Sequence, residues 1–292
     1  MMFMQSKYVP GEKIEGAVFT SGDFYGGSFI NEVVFDHCIF DAITLKEETF
    51  NQCTFNHCTF LATCIFDSQF YDCEFQETNL SEGIWVDVLF GDSNFKECLF
   101  NEMMTLTNVE IKQGCLDKCM WSDTINNKDN IIFSKCSIIK TSFIDYLLTG
   151  FDFIKCTFSV VNFDKSEINK SEFVECFFSW CNFNKCDLHN MIFEHVVFKN
   201  SKFKKCDFNK ETKMRNVSIT DTKFLDCKIP TDIICNISVE PTTSVSTSTE
   251  MATLEGKDFT IKIPTTTKTL PSKPIEPQIG KLRAFRFITC GI

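Results

Sequence analysis

Residues 151–210 read FDFIK CTFSV VNFDK SEINK SEFVE CFFSW CNFNK CDLHN MIFEH VVFKN SKFKK CDFNK when they are divided into groups of five. The third residue of every group is Phe, Ile or Leu. The same step of five extends back to Phe133, so that 16 consecutive positions are large and apolar. Because 43% of the chain is hydrophobic, chance would produce this run with a probability of about one in a million. The segment is therefore a five-residue repeat.

The N-terminal half of the chain carries the same repeat in another frame. It begins with Phe19, Phe24 and Phe29, and it resumes at Phe35 after one extra residue. From there the large apolar positions recur at Phe40, Leu45, Phe50, Phe55, Phe60, Ile65, Phe70, Phe75, Leu80, Trp85, Phe90, Phe95 and Phe100. Weaker stretches hold Leu106, Ile111, Leu116 and Trp121, and then Met214, Ile219, Phe224, Ile229 and Ile234.

A period of five is neither the 3.6 of a helix nor the 2 of a flat strand. It fits a chain that turns a corner every five residues. We call the large residue the centre. The residue two before the centre lies on the same side of an extended segment, so it also points inward. It is small in most groups, as at Cys156 and Ser171. Centres 20 residues apart should stack, which predicts two core stacks: Phe55, Phe75 and Phe95, and Phe158, Phe178 and Phe198.

The groups Cys181-Asn182-Phe183-Asn184-Lys185 and Ser201-Lys202-Phe203-Lys204-Lys205 resemble the pentapeptide-repeat family. Its consensus is a small residue, Asn or Asp, then Leu or Phe, then two polar residues. The resemblance covers residues 17 to 234. It implies an all-β fold, a right-handed quadrilateral β-helix with four units per coil. The span holds 44 units, or about eleven coils, and at ~4.8 Å per strand the rod is roughly 50 Å long.

The pattern divides the chain into six segments. We expect an N-terminal segment at 1–16 as a candidate export signal and the first half of the solenoid at 17–121. A polar run at 122–130 interrupts the frame and predicts a loop, and the second half of the solenoid follows at 131–235. Residues 236–281 are rich in Pro and Thr, which indicates a flexible linker. The last segment, 282–292, is an apolar tail that either caps the rod or leads into a longer protein.

Composition excludes several classes of protein. The net charge of −10 argues against a general nucleic-acid binder, which needs a basic face, so DNA binding is not expected. No run of 18 apolar residues exists, and no membrane span is expected. The first 18 residues lack a basic start followed by an apolar stretch, so no Sec signal peptide is expected.

The 17 cysteines invite a metal or redox interpretation. Thirteen of them occupy the small inward position, where Cys is a small hydrophobe. Inward sulfurs at Cys176, Cys181 and Cys186 make a metal site conceivable, but their spacing follows from the repeat and no zinc C-x-x-C pair is present. No nucleophile–base pair or phosphate-binding loop is recognisable. We therefore expect no enzyme activity, no catalytic residue, no cofactor and no metal.

The surface charges divide the rod. Residues 1–100 hold 16 acids and 4 lysines, whereas residues 133–213 hold 12 lysines and 10 acids. Within the unit, the second residue after the centre carries the change. This position supplies the candidate interaction surface: Glu47, Asp67, Asp72, Glu77, Glu82, Asp87, Asp92 and Glu97 in the first half, and Lys165, Lys185 and Lys205 in the second. The alternative is that these charged residues only keep the rod soluble.

Fold alone does not determine function, so three hypotheses stay open. The Phe-centred, Cys-rich repeat followed by a Pro/Thr-rich region resembles the pentapeptide-repeat effectors that enteric bacteria deliver by type III secretion. That resemblance implies a rod made in the bacterial cytoplasm, secreted into host cells and docked on a host protein. In one branch of these effectors the rod precedes a HECT-like ubiquitin ligase, but no ligase residue is present here. The alternatives are a DNA-mimicking, topoisomerase-binding rod and a structural spacer. The sequence leaves the partner and the oligomeric state open.

Overall fold

The computed structural model describes residues 4–5, 7–24, 26–101, 104–122, 127–234 and 237–239. Over these residues the chain winds as a parallel β-solenoid of about ten turns with four faces. The predicted all-β quadrilateral β-helix is confirmed. Each five-residue unit forms one short strand and one corner, and we name the faces A, B, C and D in the order in which the chain passes through them.

The strands of face A are Met4–Gln5, Ser28–Asn31, Thr49–Asn51, Gln69–Tyr71, Ile84–Gly91, Thr105–Lys112, Asn127–Ser134, Phe151–Ile154, Glu172–Val174, Ile192–Glu194 and Lys213–Arg215. Face B contains Lys13–Glu15, Val34–Asp36, Thr54–Asn56, Glu74–Gln76, Asn94–Lys96, Cys115–Asp117, Ser137–Ile139, Thr157–Ser159, Phe177–Ser179, Val197–Lys199, Val217–Thr220 and Ile237–Val239. Face C contains Leu99–Asn101, Met120–Ser122, Ser142–Ile144, Asn162–Asp164, Asn182–Asn184, Lys202–Lys204 and Lys223–Leu225, and isolated bridges continue it toward the N-terminus.

Face D is the least regular. Its strands are Thr44–Lys46 and Cys64–Phe66, and the three long strands of face A bend around the corner to supply the next ones. Further along, it continues as isolated bridges at Leu147, Glu167, Asp187, Asp207 and Lys228. The described helices are a 3-10 turn at Ser21–Asp23 and one α-helical turn at Thr231–Ile234.

The interior is filled by columns of centres that lie in register from coil to coil. On face B, the rings of Phe55, Phe75 and Phe95 stack with centroids 4.7 and 4.8 Å apart. The column of Phe158, Phe178 and Phe198 on the same face has spacings of 4.3 and 4.7 Å. Rings on adjacent faces meet edge to face, an arrangement that the aromatic quadrupole favours.

From Ile14 onward, all departures from the step of five fall in the two corners that flank face D. Six residues instead of five separate the centres Phe24 and Ile30, Phe100 and Leu106, and Phe208 and Met214. Seven residues separate Trp121 from Lys128, the position that pairs with Leu106. Over the same residues the corners between faces A and B and between B and C keep a constant length, so faces A and B stay continuous while face D absorbs the insertions. The first corner between faces A and B is longer, because Met4–Gln5 pairs with residues 28–29 and Lys13–Glu15 pairs with Val34–Asp36.

The first insertion corrects one predicted centre. Phe29 was expected to point inward, but the register pairs Ile30 with Phe50, and Phe29 with Thr49. Ile30 is therefore buried, and Phe29 is 40% exposed. The extra residue belongs before the strand, at Gly26 and Gly27, which both have positive φ. The periodic pattern located this insertion four to five residues too late because both candidates at the centre are large and apolar.

The predicted loop at 122–130 is also corrected. Ser122 ends one strand, and Asn127–Ser134 forms another that pairs with Thr105–Lys112. The backbone ladder thus continues although Lys128 stands at a centre position. Apolar periodicity reports what fills the core, whereas pairing of the backbone depends on N–H and C=O groups that every coil supplies. Residues 123–126 lie outside the described residues.

Both ends of the solenoid extend beyond the predicted boundaries. Lys13–Glu15 of the expected 1–16 segment pairs with Val34–Asp36, and Ile237–Val239 of the expected linker pairs with Val217–Ile219. The rest of the linker at 236–281 and the tail at 282–292 lie outside the described residues.

Candidate interaction surfaces

The corners of the rod have one backbone conformation. The second residue after the centre has φ between 49° and 59° in corner after corner, and nearly all of these residues are not glycine. The left-handed conformation turns the chain from one face onto the next and aims the corner N–H at the next coil. Lys185, for example, donates its N–H to the carbonyl of Lys204 at 2.7 Å. The side chain then points away from the rod, so the corner residues determine what a partner would meet.

The predicted acidic residues all lie at corners, but on four different ones. Glu47, Asp67 and Asp87 form a column on the corner between faces D and A. The other corners carry Asp72 and Asp92 (A to B), Glu77 and Glu97 (B to C), and Glu82 (C to D). The acidic half therefore has charge around its whole circumference and no single acidic face.

Several of these carboxylates already have partners. Lys118 bonds Glu97 at 2.7 Å, and this hydrogen bond lowers the pKa of the Glu97 carboxyl. His57 approaches Glu77 at 3.4 Å. Asn108 donates to Asp87 at 2.8 Å, and Gln113 donates to Asp92 at 3.2 Å. In the column that begins at Glu47, the fourth position is the amide side chain of Asn108. The column therefore contains three consecutive carboxylates and is short.

The predicted basic residues do come together. Lys165, Lys185 and Lys205 follow one another on the corner between faces C and D, and we call them the lysine column. Lys165 pairs with Asp145 at 3.5 Å. On face C beside the column, Lys202 and Lys204 lie over Asn182 and Asn184 of the previous coil. The result is a lysine-rich edge in the C-terminal part of the described rod.

The inward cysteines have a structural role that spacing alone did not reveal. The Sγ of Cys156 lies within hydrogen-bond distance of the carbonyls of Phe133 and Ile154, at 3.2 and 3.5 Å. Thr141 and Ser93 place a hydroxyl in the same way. The inward position therefore favours residues that are small and also carry a donor. In the sequence, the shared use of Cys, Ser and Thr at this position is the signal that a hydrogen-bond donor is needed there.

Burial raises the pKa of several of these thiols. It raises the pKa of Cys181 to about 11 and that of Cys58 to about 12. A protonated, buried thiol is a poor nucleophile and a poor metal ligand. Among the described residues, no three His, Cys, Asp or Glu side chains come together as a metal site. Within the same part of the chain, no helix is long and apolar enough to cross a membrane.

Sequence reasoning missed an exposed apolar group in the second half. Val160 is 50% exposed, Phe177 37% and Trp180 61%. We call these three residues the apolar ridge. Val160 and Trp180 stand at consecutive corners between faces B and C, and the Val160 N–H donates to the carbonyl of Ser179. The signal was present in the group CFFSW, whose last letter is a tryptophan where the neighbouring groups end in polar residues.

Comparison with known proteins supports the repeat. Residues 171–209 match the sequence family described as Pentapeptide repeats, in eight copies. No curated protein sequence matches the chain.

Solved structures match the chain at low similarity. QnrB1, described as a plasmid-mediated fluoroquinolone resistance protein, is 14% identical with a TM-score of 0.42 and covers 71% of this chain and 91% of its own. A mannuronic acid specific polysaccharide family 6 lyase from human gut microbiota is 9% identical with a TM-score of 0.38 and covers 84% of this chain and 82% of its own. At these scores the likenesses carry no argument about what this chain does.

Proposed function

Because the chain is a pentapeptide-repeat protein whose charged and aromatic groups are displayed on outward corners, we propose that it is a non-enzymatic rod that binds a protein partner. The observation that most supports this proposal is the contrast between the interior of the rod and its surface. The interior is filled with stacked rings and buried thiols, whereas the surface presents the lysine column and the exposed apolar ridge. Aromatic side chains are enriched at protein interfaces, and Trp is among the residues that contribute most to binding energy there.

We further propose that the rod is made in the bacterial cytoplasm, exported by a type III system and docked on a host protein. The resemblance of its Phe-centred, Cys-rich repeat to type III effectors supports this proposal. The test is export of the epitope-tagged full chain from a bacterium with an active type III system and from the same strain with an inactive export ATPase. We expect the protein in the host fraction only with the active system. Equal amounts in both strains would contradict export and leave the binding function standing.

The binding function has its own experiment. The tagged full chain is produced in host cells, treated with a lysine-reactive cross-linker, and analysed by mass spectrometry. We expect cross-links from one host protein to cluster on the C-terminal lysines, with Lys185 and Lys205 among them. A variant with the lysine column replaced by glutamine should co-purify less of the same host protein without a cross-linker, and its thermal unfolding temperature should not change. Cross-links spread evenly over all exposed lysines would contradict a specific partner.

A DNA-mimicking rod that binds a topoisomerase is the second candidate, and the stacked carboxylates of Glu47, Asp67 and Asp87 favour it. A mimic must present phosphate-like charge along a face that a DNA-binding cleft can grip. This column is three carboxylates long and the remaining acids lie on other corners, so we rank it second. We expect no effect of the purified protein on supercoiling by a topoisomerase. Strong inhibition that disappears when these three residues are changed to lysine would reverse the ranking.

A further inference from the structure

The apolar ridge stands at a place where the backbone disfavours it. Val160 and Trp180 both have φ of 58°. The left-handed region is uncommon for any residue with a Cβ, and for a β-branched or bulky residue it is an outlier. The same corner column holds Lys140 before the ridge and Asn200 after it. Among residues with a Cβ, asparagine is one of those that adopt this conformation most readily. Val160 and Trp180 therefore stand where a polar residue would have a less strained backbone and a more soluble side chain.

Neither folding nor solubility accounts for these side chains, because they are exposed and contribute little to the core. An observed backbone outlier that carries an exposed aromatic side chain points to a surface role. Phe177 adds to the same patch on face B, where it lies in register between Thr157 and Val197. Val160 and Trp180 thus border face C along one edge, and Phe177 lies on the adjoining face B.

The opposite edge of face C is the lysine column. Between the two edges lie the short amide side chains of Asn162, Asn182 and Asn184. They leave a strip of face C that is bounded by apolar groups on one side and by ammonium groups on the other. Amide side chains can donate to and accept from the backbone of an extended chain.

The positive charge beside this strip has few internal partners. Among the described residues, Lys185, Lys199, Lys202, Lys204 and Lys205 have no carboxylate within 4.0 Å, since the ion pairs of this half involve other cations. Lys199 adjoins the ridge, because its carbonyl accepts the Trp180 N–H at 3.0 Å. Asp164, which also lies on the strip, accepts a hydrogen bond from Asn184.

We propose that this strip of face C binds an extended acidic segment of another protein, in which an apolar side chain packs on Trp180 and flanking carboxylates pair with the lysines. Charge complementarity commits the site to an acidic partner. A nucleic-acid strand fits less well, because stacking of successive bases needs repeated aromatic planes, and Val160 offers none. A long polyanion would also meet the acidic half of the rod, whereas a short peptide segment meets only the lysines. The inference rests on the proposed protein-binding function.

The experiment selects binders from a random peptide library on the purified full-length protein and measures their affinity by fluorescence polarisation. We expect sequences in which Asp and Glu flank Trp, Phe or Leu. Trp180→Asn should weaken their binding at least tenfold, as loss of an aromatic hot spot does. Raising the salt from about 50 mM to about 300 mM should weaken it as well. Trp180→Asn should unfold at the wild-type temperature or above, because asparagine relieves the strained backbone.

The matched control is Gln52→Ala, a change at a corner of the acidic half, which should leave peptide binding unchanged. Selected peptides without acidic residues, or affinity unaffected by Trp180→Asn, would overturn the inference. Binding of an oligo(dT) probe that Trp180→Asn abolishes would overturn it in favour of a nucleic-acid site. Wild-type dimers that become monomers with Trp180→Asn would overturn it in favour of a second copy.

The two proposals fail differently. If the cross-linked host protein binds Trp180→Asn as well as it binds the wild type, this inference fails and the binding rod stands. If no partner cross-links to the rod and no peptide is selected, both fail.

Discussion

Glu48 places a carboxylate at an inward position that Cys, Ser and Thr occupy in other coils. Its side chain is fully buried. The carboxylate accepts the N–H of Gly26 at 2.8 Å and that of Ser28 at 3.1 Å. These two donors flank the extra residue of the first insertion, where the regular ladder does not supply acceptors. Glu48 therefore repairs the hydrogen bonding of an irregular corner, and it does so at the cost of a buried charge.

This carboxyl predicts a pH effect. Burial raises the pKa of Glu48 above its ordinary value, although the two N–H donors oppose the shift. A carboxyl whose pKa is higher in the folded protein than in the unfolded chain binds more protons when folded, so its contribution to stability falls as pH rises. We expect wild type to gain thermal stability relative to Glu48→Gln as the pH is lowered from neutral toward the pKa of the unfolded chain.

The measurement is the difference in unfolding temperature between wild type and Glu48→Gln across this pH range. Gln52→Ala, at an exposed corner with no titratable group, is the control and should show no such trend. A wild-type advantage that grows as pH rises would mean that the N–H bonds outweigh burial.

At the scale of the element, each five-residue unit has two tasks besides supplying a strand. Its centre fills the interior. Its inward small residue donates a hydrogen bond to the backbone carbonyl two residues earlier and to a carbonyl of the previous coil. Ser93 illustrates the second task. Its hydroxyl lies 3.1 Å from the carbonyls of both Phe70 and Gly91, and it accepts the N–H of Cys73 at 3.2 Å. One hydroxyl therefore links neighbouring coils on face B.

We expect Ser93→Ala to destabilise the rod by about 1–3 kcal/mol, because buried polar groups lose their partner. Ser93→Cys should cost less, since the thiol keeps a donor of similar size. Ser137→Ala changes an outward hydroxyl on the same face and should stay within about 0.5 kcal/mol of wild type. The midpoints of urea unfolding report all three variants. Equal midpoints for Ser93→Ala and Ser93→Cys would show that only size matters at this position.

The whole molecule is a thiol-rich rod whose sulfurs are enclosed. Of the 15 described cysteines, 13 are buried, and Cys64 and Cys115 are partly exposed. Burial raises the pKa of Cys115 too, so even a partly exposed thiol is mostly protonated at neutral pH. The described thiols are all unpaired.

Labelling with a thiol-reactive alkylating agent, mapped by mass spectrometry, tests the enclosure. In the native protein Cys64 and Cys115 should react first among the described cysteines. The buried column of Cys136, Cys156 and Cys176 should resist until denaturant is added. Rapid native labelling of Cys156 would show that the rod opens locally far more often than its packing implies.

The five-residue period was enough to predict the solenoid, its aromatic stacks and the placement of small inward residues. These follow from sequence because every coil repeats one steric environment, so a single pattern is tested many times along the chain. The corner position of the charged residues followed from the same period. The period also predicted that Glu47, Asp67 and Asp87 would form a column, since residues 20 apart stack wherever no insertion intervenes.

Tertiary structure alone decided what depends on register and on neighbours in space. It made Ile30 the centre in place of Phe29 and carried the ladder through Asn127–Ser134. It also showed that Trp180 stands exposed in a left-handed corner beside unpaired lysines. The physical reason is that backbone hydrogen bonds pair any side chains that the coil length brings together. One inserted residue therefore changes which residues pair across the coil that contains it, as Ile14 pairs with Phe35 whereas Phe35 pairs with Phe55, while the local sequence looks unchanged.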